Sequence, residues 1–477
     1  MHDIALGHLF STVTLYFGVT TLLDQLRPDV WLTRGRETDD YEKRLYDESW
    51  QLLDRITSDS RFAASVRKVV VIYLSDGPFI FEKNCLEKAL RHVGHLKAFH
   101  WYGGWPPVAD DIVAVLVHTC PELEELRLPR YLLDSEKHVT LLRGLRHLST
   151  FICCADGEDV EDEHFPEEFQ TVDPSSRPSL EELMRNNQNT LRKLDIEGWR
   201  AVSLPIPTLS QLTHLHLYTL FGEQFSWLGL ILHHLTSLRS LSVFSDSPAL
   251  FTLLQEHSSA LSQLQSLRLE AEVAFTQEEL LPLIHTIRNS TALRRLDLAF
   301  SFHDDPIVTL AGILNRESPI SVLGLNLGCA GWNSDVSSMK WTDEQCRRLS
   351  DCLPNNLSSL RLISAFERID CHTEPLLDRF RELLNLHFLY IGNVRRFHPF
   401  LAVDLAADIA SLATVGVNDR MWDVDKREDG EFCLHHWPDP LIVVRLQEKF
   451  VSEDDFWLMN GVRICGLRTY DDIAAGE

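Results

Sequence analysis

The densest groups of metal-ligating side chains in this 477-residue chain are Cys433-x-His435-His436 and Cys371-His372. Thiolate and imidazole could together hold zinc, but a structural zinc site takes two paired Cys/His clusters, and neither group has a matching second pair. No metal is therefore expected. Asp304-Asp305 would be a candidate acid–base pair of carboxylates. It stands directly before Pro306, however, and proline is favoured at the first helical position, so a helix cap is the expected role. Cys120, Cys346 and Cys352 lie on or just after helical patterns and are expected to be buried as small apolar groups rather than to act as nucleophiles. His95, His100, Trp101 and Trp105 surround Gly103-Gly104 and read as a turn with packed rings. The chain contains no G-x-x-x-x-G-K-[ST], G-x-G-x-x-G, G-x-S-x-G or H-E-x-x-H. No catalytic residue and no cofactor are expected.

What remains is the chemistry of recognition. A formal charge of −25 argues against general binding to nucleic acid or anionic membrane, which needs clustered Lys and Arg, and leaves a protein as the partner. Ten scattered cysteines are too few for a disulfide scaffold and fit a reducing compartment, cytoplasmic or nuclear. Ile4 to Leu23 is uncharged. It lacks a preceding basic segment and is broken by Ser, Thr, Gly and His8, so neither an export signal nor a membrane span is expected.

The side chains for such recognition sit in a repeated frame. Leu264-Gln-Ser-Leu-Arg-Leu and Leu293-Arg-Arg-Leu-Asp-Leu both read L-x-x-L-x-L, 29 residues apart, with a helical pattern between them that opens at the capping box Thr276/Glu279. Looser copies begin at Val66, Leu96, Leu123, Leu148, Leu191, Leu212, Leu238, Ile320, Leu357, Leu386 and Leu412, for thirteen units in all. In a short strand alternate side chains share a face, so Leu267 and Leu269 point one way while Ser266, Arg268 and Glu270 point the other. One unit cannot bury its leucines alone. Stacked units can, which predicts an α/β solenoid: a curved parallel sheet, one strand per repeat, with helices on the convex side and about 13 irregular repeats.

Every unit then offers its third, fifth and seventh side chains to one sheet face. Along the chain these include His100 and Tyr102, Arg127, Lys193 and Asp195, His214, His216 and Tyr218. Phe244, Arg268 and Glu270, Arg295 and Asp297, and Tyr390 continue the series. Aromatic and Arg residues among mixed charges have the composition of protein-binding hot spots, so this face is the candidate site.

Three regions follow. Residues 1–61 precede the clear repeats and carry a strand-like Ser11–Phe17 and a helical pattern from Asp39 to Thr57. Residues 62–417 are the solenoid, interrupted by an acidic loop at 155–178 with nine Asp or Glu against one Arg, and by a rim insertion at Gly331–Trp341. Residues 418–477 form a C-terminal cap and acidic tail, with a strand-like Leu441–Leu446. Such a cap shields the last leucines.

The repeat run from Val66 to Val417 resembles the irregular class of leucine-rich-repeat proteins. His2-Asp-Ile-Ala-Leu-Gly-His-Leu-Phe-Ser-Thr-Val13 further resembles the segment where the F-box of fungal F-box/leucine-rich-repeat proteins ends and its linker strand begins; Ile4, Leu6, Leu9 and Phe10 match the apolar positions. In that family the F-box docks on the Skp-type adaptor of a cullin–RING ubiquitin ligase, and the repeats hold the protein to be ubiquitinated. The opening Leu-Pro-x-Glu segment and two further F-box helices have no counterpart in this sequence, so the expectation is a relative with its F-box truncated or absent. The resemblance implies an F-box-like substrate-recognition subunit. The alternative is a freestanding leucine-rich-repeat scaffold or inhibitor with no ligase link.

Overall fold

In the computed structural model the described residues are 11–17, 36–73, 80–103, 110–154, 179–201, 204–218, 220, 224–303, 305–326, 343–366, 374–394, 400–418, 420–427, 431–437 and 447–460. The chain divides into two compact units at Leu215/His216.

The first unit is a stack of parallel strands taken in chain order. They are β1 (Thr12–Phe17), β2 (Lys68–Tyr73), β3 (Ala98–Tyr102), β4 (Glu125–Pro129), β5 (Thr150–Cys154) and β6 (Lys193–Glu197), each paired in register with the next. Helices Ile80–Leu90, Asp110–Thr119 and Glu136–Leu142 connect successive strands and pack on one another. β1 is a rung ahead of the first L-x-x-L-x-L unit. Its outer edge would expose unpaired amides. The long helix Arg36–Ser58 packs against it instead, and buried Ser49 accepts from the Tyr16 amide at 2.8 Å while its hydroxyl donates to the Leu45 carbonyl. At the end of β3, Gly103 has φ +105°, and a Cβ there would lie 1.8 Å from the Tyr73 carbonyl oxygen, so the turn requires glycine.

β7 (His214–Tyr218) spans the division between the units. The second unit continues with β8 (Ser240–Phe244), β9 (Ser266–Phe275), β10 (Arg295–Phe302), β11 (Val322–Asn326), β12 (Ser359–Phe366), β13 (Phe388–Val394) and β14 (Thr414–Val417). From β8 on, all are parallel and paired in chain order, with register shifts only toward the strand ends of β9–β10 (between Ala299 and Ser301) and β12–β13 (between Ile363 and Phe366). β15 (Arg420–Lys426) and β16 (Phe432–His436) then run antiparallel and close the edge of β14. The thirteen strands expected from the L-x-x-L-x-L units are all present at the expected residues. The closing hairpin lies where the repeat pattern dissolves, because its residues pair in alternation rather than in the repeat's register.

Within each unit the leucines at the first, fourth and sixth positions make the core; Leu264, Leu267, Leu269, Leu293, Leu296 and Leu298 are all buried. A backbone device recurs at successive strand entries. The carbonyl of the second residue of one unit accepts from two successive amides of the next: Arg239 from Gln265 and Ser266, Gln265 from Arg294 and Arg295, Arg294 from Ser321 and Val322. The buried polar backbone is thereby satisfied, and the register of each rung is passed to the next. Helix Gln277–Asn289 opens with the expected capping box: Thr276 accepts from the Glu279 amide, and Glu279 accepts in return from the Thr276 amide at 2.8 Å. Leu281 of this helix, at helical spacing in the sequence, points outward, and Leu283 takes the core position instead. Asp305 caps helix Pro306–Ile313, accepting from the Ile307 amide at 2.9 Å.

The acidic loop 155–178, the insertion 331–341, the strand-like 441–446, Cys371-His372, Asp304 and most of the segment resembling an F-box end lie outside the described residues. Among the described residues no helix is long and apolar enough to cross a membrane.

Candidate protein-binding face

In the first unit the lateral register aligns the third-position row Lys68, Ala98, Glu125, Thr150 and Lys193, and beside it the fifth-position row Val70, His100, Arg127, Ile152 and Asp195. The face is part closed and part open. His100 and Arg127 are buried, whereas Tyr102, Glu125, Ile152 and Asp195 are half-exposed and Lys193 is exposed. Arg127 stacks its guanidinium 4.1 Å from the Tyr102 ring centroid. His100 Nε2 lies 3.2 Å from Glu125 Oε2. Burial depresses the His100 pKa despite that carboxylate, while the hydrogen bond from His100 holds Glu125 below the usual carboxylate range. A neutral imidazole donating Nε2–H to a charged Glu125 accounts for both shifts. At the end of β6, buried Arg200 binds Glu197 at 2.8 Å and Asp134 at 2.5 Å, and stacks on Trp199. Glu197, at the seventh position, is thus held by a neighbour rather than offered to a partner. His214 is half-exposed in this unit. In the second, His216 and Tyr218 are half-exposed with ring centroids 4.1 Å apart.

From β8 onward the same face is different. The fifth-position row reads Ser242, Arg268, Asp297, Gly324, Arg361, Tyr390 and Gly416. Sequence periodicity predicts an open face here, yet Phe244, Arg268, Glu270, Asp297 and Tyr390 are buried, and of the candidates in this stretch only Arg295 keeps partial exposure. Over Arg268, Asp297 and Tyr390 lies helix Glu453–Asn460, here called the return helix, which folds back across β9 to β13.

Its contacts run from end to end. Arg295 pairs with Asp454 at 2.5 Å and with Glu453 at 3.6 Å. Asp455, buried, accepts from Ser359 Oγ at 2.6 Å and lies 3.1 Å from His387 Nε2. Arg268 donates to the Trp457 carbonyl and lies 4.6 Å from the Trp457 ring centroid. Arg361 donates to the Leu458 carbonyl at 2.8 Å. These carbonyls belong to the last helical turn, which has no intrahelical partners for them, so cationic side chains complete it. Leu458 and Met459 enter an apolar cluster with Val322, Phe388, Tyr390, Met421, Trp437 and Phe450.

Asp297 organises the floor beneath this helix. Fully buried, it accepts from Arg268 Nε at 2.8 Å and from Arg361 Nη2 at 2.6 Å. Arg361 stands two strands away, and its reach passes over Gly324. A Cβ on Gly324 would lie 2.4 Å from Asp297 Oδ1 and 3.0 Å from Leu458 Cδ1. Glycine in the interior of a strand marks such a close approach. Tyr390 donates to the Asn418 carbonyl, and a Cβ on Gly416 would lie 2.4 Å from its ring.

Residues important to this surface that periodicity alone does not find are His387 and the return helix with its acidic start and Trp457, whereas Ser359 and Arg361 fall on the third and fifth positions of the Leu357 unit. The legible signals are glycines at the fifth positions of β11 and β14, and an acidic–aromatic run Glu453–Met459 inside an otherwise acidic tail.

Cys120, Cys346 and Cys352 are buried, and burial pushes the Cys120 thiol up to about 12. Among the described residues no three His, Cys, Asp or Glu side chains come together to hold a metal ion, and Cys433 is exposed.

Strand order, register and the repeated leucine core define a leucine-rich-repeat solenoid. No known family profile and no curated relative matches the chain. Among solved structures it is similar to the yeast Rad7–Elc1 complex, at 13% identity over 87% of this chain and 88% of that one, with a TM-score of 0.34. It is also similar to a Bacteroides fragilis protein (11% identity, 74% of each chain, TM-score 0.26) and to TLR13 in its complex with ssRNA13 (14% identity, 76% of this chain, 55% of that one, TM-score 0.27). At these scores the fold assignment rests on the architecture described above.

Proposed function

We propose that the protein is a non-enzymatic, protein-binding repeat protein that serves as an F-box-like substrate-recognition subunit of a cullin–RING ubiquitin ligase. The observation that carries the binding role is the open strip on β3 to β6, where Tyr102, Glu125, Lys193 and Asp195 keep exposure on a rigid sheet. Hot spots of protein interfaces combine such aromatic and charged groups on preorganised supports. The net charge of −25 favours a partner with a basic surface. The ligase link rests on the sequence resemblance at residues 2–13. The ten scattered cysteines, too few for a disulfide scaffold, support a reducing compartment, cytoplasmic or nuclear.

A freestanding scaffold or inhibitor is the second reading. It is favoured by the return helix, which leaves less of the sheet face for a substrate. Co-precipitation of the full chain from cells separates the two. The first expects the Skp-type adaptor and cullin to be recovered, together with a client lost on combined Tyr102→Ala, Lys193→Ala and Asp195→Ala substitution. A client retained without any adaptor would leave the second.

A further inference from the structure

We infer that the sheet face from β9 to β13 is a docking site for a partner protein's acidic–aromatic helix, and that the return helix is its built-in occupant. The inference stands on contacts of the second unit and does not depend on the ligase reading.

Three observations lead to it. Within the sheet, Asp297 holds Arg268 and Arg361 through its own two oxygens at 2.8 and 2.6 Å. Their remaining N–H groups point at whatever lies above, and here they meet the Trp457 and Leu458 carbonyls. The groups that read the helix are matched to its chemistry at both ends: Arg295 for carboxylates at the first turn, Ser359 and His387 for Asp455, guanidinium groups for the open carbonyls of the last turn, and an apolar cluster for Leu458 and Met459. That is complementarity of charge, hydrogen bonding and apolar area along two helical turns. Finally, the occupant is a helix of only eight residues, Glu453–Asn460. Helices that short do not persist in water, so its order comes from the face. A partner helix with two or three acidic residues followed by a Trp-Leu-Met-like apolar run presents the same groups and competes for the same face.

The probe is a fluorescein-labelled peptide with the sequence of residues 452–460, titrated by anisotropy against the full-length chain. An occupied face lowers apparent affinity by the fraction of molecules that are open, so the wild type is expected to bind weakly. A chain weakened in cis by Asp455→Asn and Trp457→Ala is expected to bind at least about tenfold tighter, as when an open fraction below about a tenth becomes dominant. Adding Arg295→Glu to that chain should abolish binding, and a peptide carrying Asp454→Lys should restore it. A cis-weakened chain that remains folded by circular dichroism yet gains no affinity would overturn the proposal. Amide exchange on the wild-type chain supplies a measurement that needs no variant. Exchange of the return helix well ahead of β9–β13 supports a displaceable occupant, whereas exchange only on global unfolding overturns it.

Discussion

Asp297 is one carboxylate doing the work of a keystone between two guanidinium groups. Removing it takes away the carboxylate that Arg268 and Arg361 share, leaving Arg361 with the Leu458 carbonyl and Arg268 with the Trp457 carbonyl and Glu270 at 3.7 Å, the case in which breaking a buried pair costs most. Asp297→Ala is expected to lose about 3–5 kcal/mol in urea unfolding. A loss under about 1 kcal/mol, the worth of an exposed pair, would mean that the carbonyls of the return helix satisfy both arginines unaided. Gly324 makes a different point at the same place. Its missing Cβ is what lets Arg361 cross β11, so Gly324→Ala should cost about 1–3 kcal/mol through overpacking. Since Leu458 Cδ1 also lies against that position, the return helix should loosen with it, seen as faster exchange of its amides. Gly324→Ala with unchanged stability would show that Asp297 can shift. In sequence, Arg268, Asp297 and Tyr390 were legible as members of one face. That the face turns inward at these residues was not, because Arg268 meets Trp457 across 189 positions of chain.

At the scale of elements, the return helix carries a pH dependence. The hydrogen bond to Asp455 raises the His387 pKa above 6.5, Asp454 adds to this, and partial burial opposes it. Asp455 and Ser452 of the return helix segment and the Asn385 carbonyl face this imidazole. A histidine whose folded pKa is raised contributes stability that is fully present below its unfolded value and is lost as pH rises through the folded one. Docking of the helix should therefore be firmest below about pH 6.5 and weaken as pH rises past it. Trp457 fluorescence followed across pH 5.5 to 8.5 checks this, and His387→Gln should flatten the profile. The capping box of helix Gln277–Asn289 allows a second check, because Thr276→Ala should cost about 1 kcal/mol. That box was readable from Thr276 and Glu279, three residues apart, because capping is chemistry between near neighbours. The docking of Glu453–Asn460 is not local, and its sequence carries no period.

For the molecule as a whole, the repeat makes stability additive over neighbours. Leu296→Ala should cost about 2–5 kcal/mol, while Leu267→Asp should open the rungs beside β9, since each leucine is shared between stacked units. Amide exchange confined to β9 alone after Leu267→Asp would contradict a nearest-neighbour core. The binding face has to be located at this scale too: two rows of side chains from one repeating pattern end in different environments, half-open on β3 to β6 and closed beneath the return helix from β9 to β13.

Sequence alone determined the rungs, their register and the face on which each side chain falls, because strand alternation and the L-x-x-L-x-L period are properties of neighbouring residues and of hydrophobic burial. Tertiary structure alone decided which part of that face is free. Covering a surface is an interaction between segments far apart in the chain, and its free energy lies in Arg–carboxylate geometry and apolar packing that no local period records.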